Sequence, residues 1–130
     1  MKINNKGSAI VTTPIIIVIG LMIISTLIVL MVNMLMPYIW YEKLSSTSIK
    51  YVYIMEEYGY LTKNEVNNLK KELKEQGFEE DKISIGYTST RVEYGKPIFL
   101  EIKYDYQINM PFNSNIDVPM MVSRNSVSKR

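Results

Sequence analysis

The side chains that could do chemistry in this chain fall into three groups. Carboxylates cluster at Glu56-Glu57 and at Glu79-Glu80-Asp81. A calcium loop needs oxygen ligands at alternating positions around a glycine turn, and neither cluster has that pattern. The expectation is a solvated face or a helix terminus. Ser45, Ser46 and Ser48 have no His to activate them, because the chain contains none. A Ser–Lys arrangement stays open on spacing alone, but the reading is that the protein is not an enzyme. Ten Tyr residues invite ligand stacking, yet alternating positions such as Tyr104 and Tyr106 fit the core face or rim of a sheet. Gly77, Gly86 and Gly95 lack the spacing that cradles a phosphate and read as turn or cap residues. With no His and no Cys, the commonest ligands of zinc, copper and haem are missing, and so is any disulfide. The sequence predicts no catalytic residue, no metal and no cofactor. Function must then lie in surfaces.

The dominant surface is apolar. From Gly7 to Tyr41 there is no charged side chain. Pro14 to Met36 would span about 34 Å as a helix, enough to cross a bilayer core with some tilt. Thr13 fits an N-cap with Pro14 at the first helical position. Pro37 should end or kink the span, and Tyr38, Trp40 and Tyr41 read as an aromatic belt at headgroup level. A cleaved secretory signal fits less well, since its apolar region is shorter and is followed by a small-residue site. Gly20, Ser25, Thr26 and Asn33 are the small and polar positions that would admit close helix packing or interhelical hydrogen bonds. Lys2 and Lys6 precede the run, while Lys43 and Lys50 follow it, so the positive-inside rule gives a cytoplasmic N-terminus and an extracytoplasmic C-terminal domain by a narrow margin. Residues 42–130 hold thirteen basic and thirteen acidic residues. A neutral domain without a basic stripe argues against nucleic acid as a partner.

The remaining elements follow from changes of period. Tyr51, Val52, Met55 and Tyr58 form a helical stripe with Glu56 and Glu57 on other faces, and Gly59 marks the end of that helix. Thr62-Lys63-Asn64-Glu65 has the spacing of a capping box, with Leu61 and Val66 placed as a hydrophobic staple. Val66, Leu69 and Leu73 give one apolar face, and Gly77-Phe78 is the stop, so a helix is expected over 63–76. Past Asp81 the pattern alternates: Ile83, Ile85 and Tyr87; then Ile98 to Ile108; then Ile116, Val118, Met120 and Val122. Turns are expected at Tyr94–Pro97 and Pro111–Asn115. The fold class is therefore α+β. It comprises a basic leader and helix start (1–13), a transmembrane helix (14–36), a membrane-proximal helix (37–61), a soluble domain with a helix and a three-stranded antiparallel sheet (62–123), and a polar, frayed tail (124–130).

A short basic leader ending in Gly, a long apolar helix and a small α+β domain together resemble the type IV pilin class. Within it the chain is similar to the TadE-like minor pseudopilins of tight-adherence (Flp-type) systems, in their small Gram-positive form. Lys6-Gly7-Ser8-Ala9-Ile10-Val11 looks like the family's Gly-Ser-Ala-apolar-Val start, and Glu93-Tyr94-Gly95-Lys96-Pro97-Ile98-Phe99-Leu100 like its tyrosine-glycine turn into an apolar strand. The likeness covers nearly the whole chain through short motifs. It implies a leader cut between Gly7 and Ser8 by a membrane prepilin peptidase, and a mature helix packed first among lipids and then against other pilin-like subunits. The family's glutamate, five residues past the cut, is Thr12 here, and Pro14 comes earlier than the family's proline. A carboxylate deep in lipid costs about 2.5–3.5 kcal/mol, so members that keep it use its charge to pair with a neighbour's N-terminus. Thr12 avoids that cost and gives up that pairing. Two readings follow: a non-standard subunit at a filament tip or base, or an unprocessed, permanently anchored accessory protein of a cell-envelope or conjugation complex.

Overall fold

A run of residues with no charge and no glycine cluster has little choice but helix once its backbone must bond to itself, and the longest element is helix α1, Lys6–Tyr58. The computed structural model describes residues 6–109 and 114–130. Lys2 of the leader and most of the Pro111–Asn115 turn lie outside that range. Thr13 and Pro14 sit inside α1, so Thr13 is not its N-cap. Pro37 does not end the helix either. In each case proline withholds one N–H from one carbonyl, a loss a long apolar helix can tolerate. The chain divides into two compact units, residues 1–36 and 37–130, and α1 belongs to both.

In the second unit the fold is α+β. After α1 come α2 (Lys63–Glu75), a single 3-10 turn (Glu80–Lys82), and strands β1 (Ile83–Tyr87), β2 (Pro97–Asn109) and β3 (Asn115–Val127). The strands form one antiparallel sheet in the order β1-β2-β3. Thr62 caps α2: its hydroxyl accepts the Glu65 N–H, and the Glu65 carboxylate accepts the Thr62 N–H at 2.7 Å. Removing such a cap typically costs about 1 kcal/mol. At the other end Gly77 takes φ +101°, the Gly77 N–H reaches the Lys74 carbonyl, and the Phe78 N–H reaches the Leu73 carbonyl. This is a Schellman closure, with Phe78 and Leu73 both buried.

The core is built from one stripe of α1 (Leu44, Ser48, Tyr51, Met55), the narrow face of α2 (Val66, Leu69, Leu73), and the inward residues Ile98, Leu100, Ile102, Tyr104, Met120 and Val122 of the sheet. The α1 spacing of four, three and four keeps those side chains on one line. Tyr58, expected on the stripe, is exposed, because Gly59 turns the chain at the next residue; Glu56, expected on another face, is buried. Along β2 the alternation is clean, with Lys103, Asp105 and Gln107 outward. Pro119 has no N–H to offer a ladder and is accommodated because β3 is an edge strand. It also leaves a gap in the row of donors that an open edge otherwise presents to a stray strand.

Residues 124–130 are not a frayed tail. β3 continues to Val127, the Ser128 N–H bonds the Lys96 carbonyl, and the Lys129 N–H bonds the Glu56 carbonyl at 2.7 Å. Gly59 makes that docking possible: at φ +77°, a Cβ there would stand 2.7 Å from the Val92 carbonyl oxygen and 3.0 Å from the Ser128 hydroxyl. Gly95 has a similar φ of +76° but open space around it. Gly59→Ala should therefore lower stability by more than the roughly 1–2 kcal/mol that left-handed strain alone costs, and Gly95→Ala by about that amount. Urea unfolding of the two variants side by side checks the order.

Candidate functional site: the apolar helix surface and the polar ties of the domain

The apolar surface lies in the first unit. From Ile15 to Met36 every large hydrophobic side chain is exposed, Met34 reaching 80%. The helix is long and apolar enough to cross a membrane, with a mean hydropathy of 3.2 in its apolar window. Because it is apolar on all sides, no single face is set apart for water. Ser25 bonds back to the carbonyls of Leu21 and Met22, and Thr26 donates to Met22 at 2.8 Å. Both hydroxyls are thus satisfied within their own helix, as an apolar surrounding requires. Thr12 is exposed, Gly20 has nothing within 4 Å of where a Cβ would stand, and Asn33 is half-exposed. Gly7 and Ser8 fall in the first turn of α1. At 100° per residue, Thr26 and Asn33 share a face, while Gly20 lies about 120° or more from both. The four positions singled out for packing do not form one contiguous patch.

In the second unit Tyr38 and Tyr41 are exposed, but Trp40 is half-buried in an aromatic cluster. It meets Phe78 edge-on at 4.7 Å between centroids and stacks near Tyr104 and Tyr106, with Lys43 Nζ 4.8 Å above its own ring. Gly77 leaves room for it: a Cβ there would come within 3.0 Å of the indole. Trp40 therefore fastens α1 to α2 and the sheet. Nothing in the local sequence distinguishes that role from a headgroup belt, since both ask for a large amphipathic ring.

The candidate reactive groups are engaged in similar ties. Ser48 Oγ donates to the Ser45 carbonyl, and Ser45 Oγ accepts from Arg124 Nη2 at 2.7 Å. Lys50 Nζ pairs with Glu72 at 2.9 Å. Tyr51, pushed up to about 12 by burial and by its bond to the same Glu72, completes that bridge between α1 and α2. Glu79 pairs with Lys82 and Glu80 with Lys74. Among the described residues no group of three or more acidic, His or Cys side chains is placed to hold a metal. Glu56 is clasped by the Lys129 ammonium and, second, by the Ser126 hydroxyl, which hold its carboxyl below the ordinary range. Sequence periodicity missed Glu56, Arg124 and Ser126, because each finds its partner at least 70 residues away. Comparison with protein-family models, curated proteins and solved structures gave no match.

A carboxyl whose folded pKa is depressed contributes stability above its unfolded value and loses it as pH falls through the folded value. The melting temperature should therefore begin an acid decline as pH drops below about 4.5, the ordinary glutamate value, through the Glu56 clasp. In Glu56→Gln that component of the decline should be absent, and the neutral-pH melting temperature should be lower. Thermal melts from pH 7 to pH 3 check both.

Proposed function

We propose that this chain is a single-pass membrane protein, N-terminus cytoplasmic and C-terminal domain outside, that works as a pilin-like structural subunit rather than as an enzyme. The observation that carries this reading is the division of one helix between two surroundings. Its first part exposes apolar side chains on every side, and its later part supplies Leu44, Tyr51 and Met55 to the core of a small α+β domain. That arrangement suits a subunit whose helix exchanges lipid contacts for neighbouring helices while its domain stays in water. An apolar helix can leave lipid only where other helices replace the lipid. The partners proposed are the bilayer, other pilin-like subunits, and a prepilin peptidase acting between Gly7 and Ser8. Glycine is the poorest helix former there apart from proline, so the first turn of α1 opens for a protease at little cost.

Thr12 favours the second reading, a permanent anchor for a cell-envelope or conjugation complex. Without a carboxylate at that position, a neighbour's freed N-terminus has no charge to pair with. Co-expression with a matching prepilin peptidase separates the two. Intact mass and N-terminal sequencing should find a new N-terminus at Ser8, lost in Gly7→Leu. An unprocessed N-terminus in both would leave the permanent anchor.

A further inference from the structure

Resting on the reading that α1 crosses a membrane, we propose that the chain pairs with a second copy of itself, parallel, through the face of α1 that carries Asn33. Three strongly polar side chains interrupt the apolar stretch between Pro14 and Met36, namely Ser25, Thr26 and Asn33. The two hydroxyls are already bonded to carbonyls one turn back. The Asn33 carboxamide, with two donor hydrogens and an acceptor oxygen, has no hydrogen-bond partner among the described residues. Its backbone carbonyl is short of a donor as well, because the residue four places on is Pro37, which has no N–H. Donor and acceptor capacity thus gathers at one level of a helix that otherwise offers only hydrocarbon. Asn33 stands three residues inside the end of the span at Met36, about 4.5 Å along the axis, where water is scarcer than at the headgroups.

The occupant follows from the chemistry of the carboxamide. An amide is complementary to itself: the NH2 of one can donate to the oxygen of another while accepting in return. In two copies inserted the same way, the two Asn33 side chains stand at the same depth by symmetry, with no register to search. A different helix would have to carry a polar group at that depth by design. The flanking pattern supports a parallel pair. Ile19, Thr26 and Asn33 recur every seven residues, with Met22, Val29 and Met36 three places after each, so the six lie along one seam. Thr26 presents a short side chain whose hydroxyl is turned to its own backbone, which lets the helices approach. A lone Asn at such a seam position fixes register and partner number in soluble coiled coils. Gly20 and Leu27 lie away from this seam.

The chain contains no cysteine, so single cysteines report the face directly. The purified full-length protein would be reconstituted in phosphatidylcholine vesicles and oxidised with Thr26→Cys, Val29→Cys or Leu27→Cys as the only thiol. The first two should form disulfide-linked dimers at least about fivefold faster than Leu27→Cys. Adding Asn33→Leu should raise the dimer dissociation constant about three- to thirtyfold, and Asn33→Gln should recover most of that loss. Equal cross-linking on all faces, or an unchanged constant in Asn33→Leu, would overturn the proposal. A protein that stays in vesicles through alkaline carbonate yet remains monomeric defeats the pairing alone. One that washes out defeats the membrane reading beneath it.

Discussion

An apolar helix face cannot be left against water, and α1 meets that constraint in two different ways along its length. From Ile15 to Met36 the constraint is not met within the chain: the hydrophobic side chains are exposed around the whole helix, with no amphipathic division to turn one side toward a core. A helix this long and apolar is able to cross a membrane, where lipid would cover it. Burial of a single leucine-sized side chain stabilises by about 1.5–3 kcal/mol, so a stretch of this length commits the protein to that cover far more strongly than any surface ion pair could. Within the stretch the polar side chains obey the same logic. Ser25 and Thr26 turn inward on their own backbone, and Asn33 stands out because it does not.

Beyond Pro37 the same helix meets the constraint differently. Leu44, Ser48, Tyr51 and Met55 line one side and are covered by α2 and the sheet, while Glu42, Lys43 and Lys50 mark the solvent side. Polar ties then fasten this part of α1 to the rest of the domain. Trp40 lies against Phe78 and the β2 tyrosines, Thr47 bonds Gln76 at the end of α2, Lys50 and Tyr51 bond Glu72, and Glu56 bonds Ser126 and Lys129.

Much of the fold was legible because its signals are local. The capping box at Thr62 and Glu65, the stop at Gly77-Phe78, and the alternation from Ile98 onward each need only neighbouring residues to be read. What escaped reading depends on distant partners. β3 was expected to end near Val122 because Arg124, Ser126 and Ser128 are polar, yet these continue its inward face and meet Ser45, Glu56 and the turn at Gly59. Periodicity in hydropathy cannot see an inward position filled by a polar pair. Trp40 escaped for a related reason, since its composition suits a membrane belt as well as it suits the pocket above Gly77. Only the start of α1 differs from the local reading: Thr13 and Pro14 carry the signature of a helix start, yet the helix already runs from Lys6 and absorbs that proline, whereas past Pro37 it continues into the domain.

The central claim, a helix that crosses the membrane with the α+β domain outside, is tested most directly by topology in intact cells. A single cysteine at Ser89, an exposed residue of the loop after β1, would be challenged with a membrane-impermeant maleimide. The membranes would then be washed with alkaline carbonate. The account predicts labelling of intact cells and retention of the chain in the washed membrane. Labelling only after the cells are broken would contradict the orientation, and release of the chain by carbonate would contradict the membrane-spanning helix itself.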